Sequence, residues 1–312
     1  MKALAGFIVR GRGQAILVAA LSGIVAFMLP PLSSMTHYLG AAVVGLVTLY
    51  ISPAQGFVVL AAATAITTLF YQFAGMPAAA MAITVLLLWL PCWLLSIVLR
   101  NTVSLAATLQ AGAALGVLAL LTVFAVYGDP ASWWLERLQT LADVLEQAGV
   151  LTAEVPADEL LQPLSRLMTG VVLASLVLGA ICSILLARWW QALLVNPGGL
   201  RKEFIGIRLG QGVGVLTLAV MLSTRVTGEP FSDMASQAAM VLLVPYLFVG
   251  LAVLHGLVAA RGRGKGLLIV VYVLLAIMPQ ATLLLAGGGL LDTWIDFRRR
   301  LGGAGSNTDN ET

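Results

Sequence analysis

The chain has 312 residues, of which 60% are hydrophobic and only 10% are charged, and its mean hydropathy is +0.99. An ordinary soluble domain carries about 25% charged residues, because much of its surface faces water. The composition therefore excludes a soluble globule, a disordered chain and a disulfide scaffold, and it indicates a polytopic membrane protein. The net charge is +3, but the 17 Lys and Arg residues lie in short clusters between apolar stretches, which argues against a nucleic-acid partner.

Long stretches without Asp, Glu, Lys or Arg predict the membrane-spanning helices. A helix needs about 20 apolar residues to cross roughly 30 Å of hydrocarbon, and strands would need an apolar–polar alternation that is absent here. The predicted fold is therefore all-α, a polytopic bundle of eight or nine transmembrane helices with one amphipathic outer loop. The nine candidate spans are 14–31, 38–51, 56–73, 78–99, 103–127, 167–187, 207–225, 236–258 and 267–286.

The segment 129–166 is the one large hydrophilic loop, with seven acidic residues against Arg137 and Arg166. Asp129-Pro130 is typical of a helix start, since Asp caps the helix and Pro suits its first position. Apolar residues then recur at helical spacing, at Trp134, Leu138, Leu141, Leu145 and Ala148. This amphipathic helix either lies on the outer leaflet or forms a lid over an outward-facing pocket.

The loop divides the chain into four predicted regions. Residues 1–128 form a five-span N-terminal bundle, 129–166 the extracytoplasmic loop, 167–288 the C-terminal spans and 289–312 a polar tail.

The distribution of Lys and Arg predicts that the N-terminus lies inside, on the cytoplasmic side of the membrane. With nine spans and this orientation, eleven basic residues fall inside and six outside, as the positive-inside rule favours. The tail cluster Arg298-Arg299-Arg300 would then lie outside, against the rule. Either one segment does not cross fully, with span 38–51 or the stretch around Pro279 as the candidates, or the tail lies along the outer face.

No predicted span carries Asp, Glu or Lys near its middle, whereas pumps and intramembrane hydrolases place ionisable groups there. The sequence also lacks a Ser-His-Asp set, an HExxH motif and paired carboxylates. These observations predict no enzyme activity, no catalytic residue, no cofactor and no metal.

Small residues form a face on the first span, where Ala15, Ala19 and Gly23 follow one another at four-residue steps. Such a face lets a second helix approach closely. It serves either internal packing or docking of another membrane protein.

Two segments resemble known membrane families. The stretch Leu46 to Pro77, with its Ser52-Pro53-Ala54-Gln55-Gly56 turn and its Gly75-Met76-Pro77 break, resembles the second and third spans of energy-coupling-factor S components. The ending from Gly289 to Arg298 is similar to that of the YybS-like family, bacterial predicted membrane proteins of unknown function. The likeness covers most of the chain by topology, although S components usually have six spans.

The resemblance implies a small molecule bound from the outer side and an energising module docked through small residues, here Ala15 and Ala19. The candidate ligand-facing residues are aromatic or polar and map to outer helix ends; the alternative is that they anchor the protein at the interface. They are Tyr38, Tyr71, Gln72, Tyr127, Trp133 and Trp134.

The tail motif Asp292, Asp296 and Arg298 is the most specific part of the likeness, and its simpler interpretation is local ion pairing on a solvated helix. The resemblance therefore implies an S-component-like protein of the bacterial cytoplasmic (inner) membrane that binds a small solute or docks to a transporter partner. The alternative is a structural or assembly protein without a ligand. The expected partners are the lipid bilayer and another membrane protein or energising module, with no nucleic acid.

Overall fold

The computed structural model describes residues 1–29, 33–147, 157–260 and 266–302, and these ranges contain fourteen helices and no strand. The all-α prediction is confirmed. The helices are α1 (Lys2–Val9), α2 (Arg12–Met28), α3 (Ser33–Tyr50), α4 (Pro53–Phe73), α5 (Ala78–Thr102), α6 (Leu105–Tyr127), α7 (Pro130–Gln147), α8 (Ala157–Val195), α9 (Gly199–Ile205), α10 (Gln211–Val226), α11 (Phe231–Ala260), α12 (Gly266–Ile277), α13 (Pro279–Ile295) and α14 (Phe297–Gly302).

Five helical segments of the described chain are long and apolar enough to cross a membrane. They are Pro53–Phe73, Val85–Thr102, Leu105–Tyr127, Leu161–Val195 and Phe231–Ala260. These helices make the chain a membrane-embedded protein. Shorter apolar helices, including α2 and α10, pack among them.

Serine caps fix where two of the long helices begin. The Ser52 hydroxyl accepts a hydrogen bond from the Gln55 amide at 3.2 Å, and Pro53 occupies the first turn of α4. The Ser104 hydroxyl does the same for the Ala107 amide at 3.2 Å at the start of α6. These bonds satisfy amides that the helix itself leaves without a partner.

The helix α3 lies at the centre of the N-terminal half, and all ten residues from Gly40 to Leu49 are buried. Side chains of α5 bond to both ends of α3. Trp89 Nε1 donates to the His37 carbonyl at 3.0 Å, and Arg100 Nη1 donates to the Leu49 carbonyl at 2.8 Å. A helix that is apolar on every side is buried among others. The shortest predicted span is thus the core of its half.

The helix α8 packs against both halves of the chain. Its Ser183 hydroxyl donates to the Tyr38 carbonyl of α3 at 3.1 Å, and its Gly170 amide donates to Gln237 Oε1 of α11 at 2.9 Å. The predicted border between 1–128 and 167–288 is therefore no packing boundary. Residues 148–156 of the predicted loop, including Ala148, and 303–312 of the predicted tail lie outside the described residues.

The side-chain bonds also show the direction of each helix. Successive residues of α3 meet successive residues of α5 and α8 in the same order, so these three helices run in parallel, with α4 and α6 returning between them. The helix α11 runs parallel to α8, because Gln237 meets Gly170 early in both helices and Phe248 and His255 line a cavity with Cys182 and Leu193 further along. The bundle therefore has two ends, which we name by their charge.

We call one end the basic end, formed by α1, α9, α14 and the termini of the helices around them, and the other the acidic end, formed by α7 and the α10–α11 loop. Of the fourteen Lys and Arg residues in the described ranges, eleven lie at the basic end. The other three are Arg137, Arg166 and Arg225. Six acidic residues with described side chains share the acidic end, against three at the basic end.

The predicted ninth span, 267–286, is wrong as a single helix, since the chain breaks at Met278-Pro279 into α12 and α13. Proline cannot donate to the preceding turn and starts a new helix instead. The helix α12 has 12 residues, about 18 Å at 1.5 Å per residue, and α13 turns back beside α11. Arg298 then lies next to Gly256 near the end of α11, so the tail returns to the basic end.

Two glycines bring α11 and α13 into direct backbone contact. A Cβ atom at Gly289 would collide with the Tyr246 carbonyl oxygen, and one at Gly250 with the Leu285 carbonyl oxygen. Only glycine permits this approach, which small residues commonly provide between membrane helices.

This contact predicts a large difference between two adjacent glycines. We expect Gly289→Ala to destabilise the folded chain by about 1–3 kcal/mol, because the added methyl group separates α11 from α13. A Cβ atom at Gly288 would meet no other atom within 4 Å, so Gly288→Ala is the matched control and should be neutral or slightly stabilising. Thermal unfolding in detergent measures both; equal losses would contradict the contact.

Candidate functional site

A groove opens between α5, α6 and α8 near the acidic end, and α7 covers its mouth. Its volume is about 570 Å³, which falls within the size range of small-molecule sites. Its walls are almost entirely apolar. The lining residues are Leu87, Leu115, Leu118, Ala119, Thr122, Val123, Tyr127, Pro130, Trp133, Trp134, Thr169, Val172, Leu173 and Leu176. We call it the α7 groove.

The α7 groove continues toward the middle of the bundle as a narrower cavity of about 100 Å³. Leu115, Ala119 and Leu173 line both spaces. Gly112 and Gly116 of α6 form part of the deeper wall, where the absence of side chains leaves room. The two spaces together are apolar and extend along α6 from Gly112 to Tyr127.

The groove is open along its side as well as at its mouth. Leu118 is 61% exposed and Leu87 is 54% exposed, and both belong to the wall. In a membrane these surfaces face lipid. The groove is therefore open to the bilayer from its side.

Local sequence chemistry sets α7 over the mouth. The Asp129 carboxylate accepts a hydrogen bond from the Ala131 amide at 3.0 Å, and Pro130 follows it at the first position of α7. The indole Nε1 of Trp134 then donates to the Thr169 hydroxyl of α8 at 2.8 Å. This bond fixes α7 to the groove wall.

Aromatic rings complete the cover. The Trp133 ring lies 4.7 Å from that of Trp134, edge to face, and 6.3 Å from that of Tyr127. The Arg137 guanidinium lies 3.5 Å above the Trp133 ring, a cation–π contact that orients the indole. Further along α7, Leu141 and Val144 are more than half exposed, so this part of the apolar face is free to contact lipid.

A buried glutamine of α11 bonds to the backbone of α8 beside the anchoring threonine. Gln237 of α11 donates from Nε2 to the Arg166 carbonyl at 2.7 Å and accepts from the Gly170 amide at 2.9 Å. Within a regular helix the Gly170 amide would donate to the Arg166 carbonyl. Here the Gln237 side chain bonds to both of these groups. Thr169, which holds Trp134, therefore sits on a turn of α8 that a second helix supports.

The structure separates the six predicted ligand-facing residues. Tyr127, Trp133 and Trp134 line the groove together. The Tyr38 ring lies over Gly179 in the interior. The buried Tyr71 hydroxyl donates to the Gly23 carbonyl of α2 at 2.5 Å. Gln72 is exposed and is not part of the groove lining. The apolar residues of the groove wall and Thr169 were not predicted, because the sequence does not distinguish them from ordinary residues of a membrane span.

The small-residue face of α2 is an internal packing surface. Ala15 and Ala19 are buried, and the Thr67 side chain of α4 lies against Gly23. The predicted docking surface at Ala15, Ala19 and Gly23 is therefore not available to a second protein, because this chain's own helices cover it.

The tail motif combines a buried local ion pair with long-range contacts, whereas local pairing on a solvated helix was expected. The Asp292 carboxylate accepts from the Phe297 amide at 2.8 Å and from Arg298 Nη2 at 2.9 Å. Arg298 also donates to the carbonyl oxygens of Ile205 and Ile207, in the α9–α10 connection. The Asp292 side chain is 4% exposed, so this pair lies inside the protein.

Asp296 makes a second, exposed pair with the same connection. Its two carboxylate oxygens accept from Nη1 and Nη2 of Arg208, each at 2.9 Å. These hydrogen bonds lower the pKa of Asp296 below its ordinary value. The pair therefore persists as the pH falls through the usual carboxylate range and is lost only at the lowered pKa.

No group of three or more His, Cys, Asp or Glu residues that could hold a metal ion is found among the described residues. Comparison of the chain with protein-family models, with curated proteins and with solved structures finds no match.

The two aspartates of the tail should differ strongly in their effect on stability. We expect Asp292→Asn to cost about 3–5 kcal/mol, because it leaves the guanidinium of Arg298 buried without its counter-charge. Asp296→Asn, the matched control, should cost much less, since its ion pair is exposed. Thermal unfolding in detergent separates the two, and a larger loss from Asp296→Asn would refute the buried contact.

Proposed function

We propose that the chain is a non-enzymatic, multi-pass protein of the bacterial inner membrane that binds an apolar ligand in the α7 groove. The observation that carries this proposal is the cover itself. An anchored indole and two further rings lie over an apolar groove of about 570 Å³, a volume suited to a small apolar ligand.

The charge distribution supports the proposed orientation of the chain in the membrane. If the basic end lies in the cytoplasm, the eleven basic residues described there obey the positive-inside rule. Eight helices then cross, namely α2, α3, α4, α5, α6, α8, α10 and α11, and the α12–α13 hairpin enters and leaves from the cytoplasmic side. The α7 groove opens on the outer half of the membrane.

The small number of polar groups in the groove favours a hydrocarbon ligand over a polar solute. The Thr122 hydroxyl already donates to the Leu118 carbonyl at 2.8 Å, and the Thr169 hydroxyl already accepts from Trp134. The lining thus offers few hydrogen-bonding groups, so a buried ligand with several polar groups would leave some of them without partners, which costs free energy. The ligand class we propose is an acyl or isoprenoid chain taken up from the outer leaflet.

The resemblance to S components supports an outer-side ligand site and remains a prediction, as does membership in the YybS-like family. Their docking mode is not supported, since the α2 face is buried. The remaining alternative, an assembly protein without a ligand, differs from our proposal in having no preferred occupant of the groove.

A photocrosslinking experiment tests the proposal on the full chain in phosphatidylcholine vesicles that contain a diazirine-labelled palmitoyl lipid. We expect crosslinks at Leu115 and Leu173 to exceed those at Leu222, a lipid-facing residue of α10 that is 67% exposed. Ala119→Phe fills the groove from α6 and should reduce the excess at least several-fold. Crosslinked peptides are located by mass spectrometry.

Ala114→Phe is the matched control, since Ala114 lies on the same helix, is exposed and does not line the groove. It should leave the crosslinking pattern unchanged. No excess at Leu115 and Leu173 in the unmodified chain would favour the assembly protein and reject our proposal.

A further inference from the structure

A second cavity, of about 490 Å³, lies between α8, α9, α11 and α12 at the basic end. Its lining residues are Cys182, Leu185, Trp189, Ala192, Leu193, Gly198, Leu200, Arg201, Phe204, Phe248, Leu251, His255 and Tyr272. We call it the α9 cavity. It is distinct from the α7 groove: at about 100° per residue, the α8 residues lining the two spaces fall on opposite faces of that helix.

The α9 cavity combines a polar rim with an apolar wall. Arg201, His255 and Tyr272 form the rim, near the level at which the chain leaves the apolar helices. Leu185 and Phe248 belong to the wall that leads toward the middle of the bundle. A site with one polar end and one apolar end matches an amphiphile.

The rim combines a His255–Tyr272 pair with a positive charge. The carbonyl of Leu251 can only accept, so the His255 ring donates from Nδ1 to it at 2.9 Å. Its Nε2 atom then faces the Tyr272 hydroxyl at 3.5 Å, the outer limit of a hydrogen bond. The Phe204 ring packs edge-on against the imidazole, with 5.7 Å between ring centroids, and holds it in place.

Arg201 supplies the charge. Glu203, the nearest acidic residue in sequence, is bound by Arg188, whose Nε donates to its carboxylate at 2.9 Å. No carboxylate among the described side chains forms an ion pair with Arg201, and its side chain is exposed at the cavity rim. The cavity therefore presents an uncompensated guanidinium to whatever occupies it.

We propose that the α9 cavity binds the phosphate headgroup of an anionic phospholipid of the inner leaflet, with Arg201 pairing the phosphate and one acyl chain lying along Leu185 and Phe248. Arginine is the preferred partner of phosphate, and basic cavities between helices at the cytoplasmic side suit such headgroups. The apolar wall favours a lipid over free phosphate, because an acyl chain gains binding free energy by packing on it and phosphate has no apolar part.

The cavity also opens toward lipid. The helix α12 has no buried residue in the structure, and Tyr272 at the rim is 48% exposed. A phospholipid can therefore bind from the side while its second chain remains in the bilayer.

Native mass spectrometry of the detergent-solubilised full chain tests this site with dioleoyl phosphatidylglycerol and dioleoyl phosphatidylcholine. We expect tighter binding of phosphatidylglycerol to one site, and about a tenfold loss of that affinity in Arg201→Gln. Lys202→Gln removes the same charge from the adjacent residue, which does not line the cavity, and should change the affinity less than twofold.

A second variant tests the apolar wall. Cys182 is exposed to the cavity, so Cys182→Trp fills it without changing charge and should also remove the tight site. Size-exclusion chromatography confirms that each variant is folded, and a variant that aggregates is replaced by Leu193→Trp on the same wall.

Three results would overturn the proposal. Equal affinities for the two lipids, or equal losses in Arg201→Gln and Lys202→Gln, would show that general charge attraction explains the binding. Displacement of phosphatidylglycerol by 10-fold excess inorganic phosphate would identify a free phosphate site instead. None of these results bears on the α7 groove, which uses a different probe and different residues.

Discussion

The structure follows from the cost of placing charge in hydrocarbon, about 2.5–3.5 kcal/mol for a basic or acidic side chain at the centre of a spanning helix. The chain meets this cost by confining its charges to the two ends of the bundle. Its interior is joined by groups that carry no charge: indole and hydroxyl donors on backbone carbonyls, and glycines that let backbones touch. The Trp89 bond to His37 and the Gly250–Gly289 contact are examples.

Each end then acquires its own chemistry. At the acidic end, an amphipathic helix and three aromatic rings cover an apolar groove. At the basic end, Arg298 joins the tail to the α9–α10 connection, and Arg201 faces a separate cavity. The helix α8 separates these two spaces, because it exposes opposite faces to them. The described residues therefore form two separate cavities rather than one continuous passage.

The sequence predicted the features that depend on local pattern. Charge-free stretches located most of the helices, and Asp129-Pro130 with the spacing after Trp134 located α7. Three of the six predicted aromatic and polar residues, Tyr127, Trp133 and Trp134, meet at the groove because they lie close in the chain and on one side of the bundle.

Features that depend on tertiary neighbours were not predictable. A short helix that is apolar on every side gives no amphipathic signal, so α3 looked weak although it is central. Ala15 and Ala19 have the same pattern whether their partner is α4 or a second protein. Asp292 and Arg298 are local in sequence, but the carbonyl groups of Ile205 and Ile207 complete their site from about 90 residues away. A proline near the middle of an apolar stretch allows either a kinked span or a hairpin, and packing against α11 decides for the hairpin.

Determining on which side of the membrane the tail lies tests the central claim most directly. The claim requires each charged segment to lie at its own end of the bundle, on one side of the membrane. Single cysteines at Arg300 and Gly228, in a chain with Cys182→Ser, would be probed in intact bacteria with an impermeant maleimide. The account predicts that the Gly228 cysteine is labelled from outside and the Arg300 cysteine only after the membrane is permeabilised. Labelling of the Arg300 cysteine in intact cells would place the tail with the acidic end and contradict it.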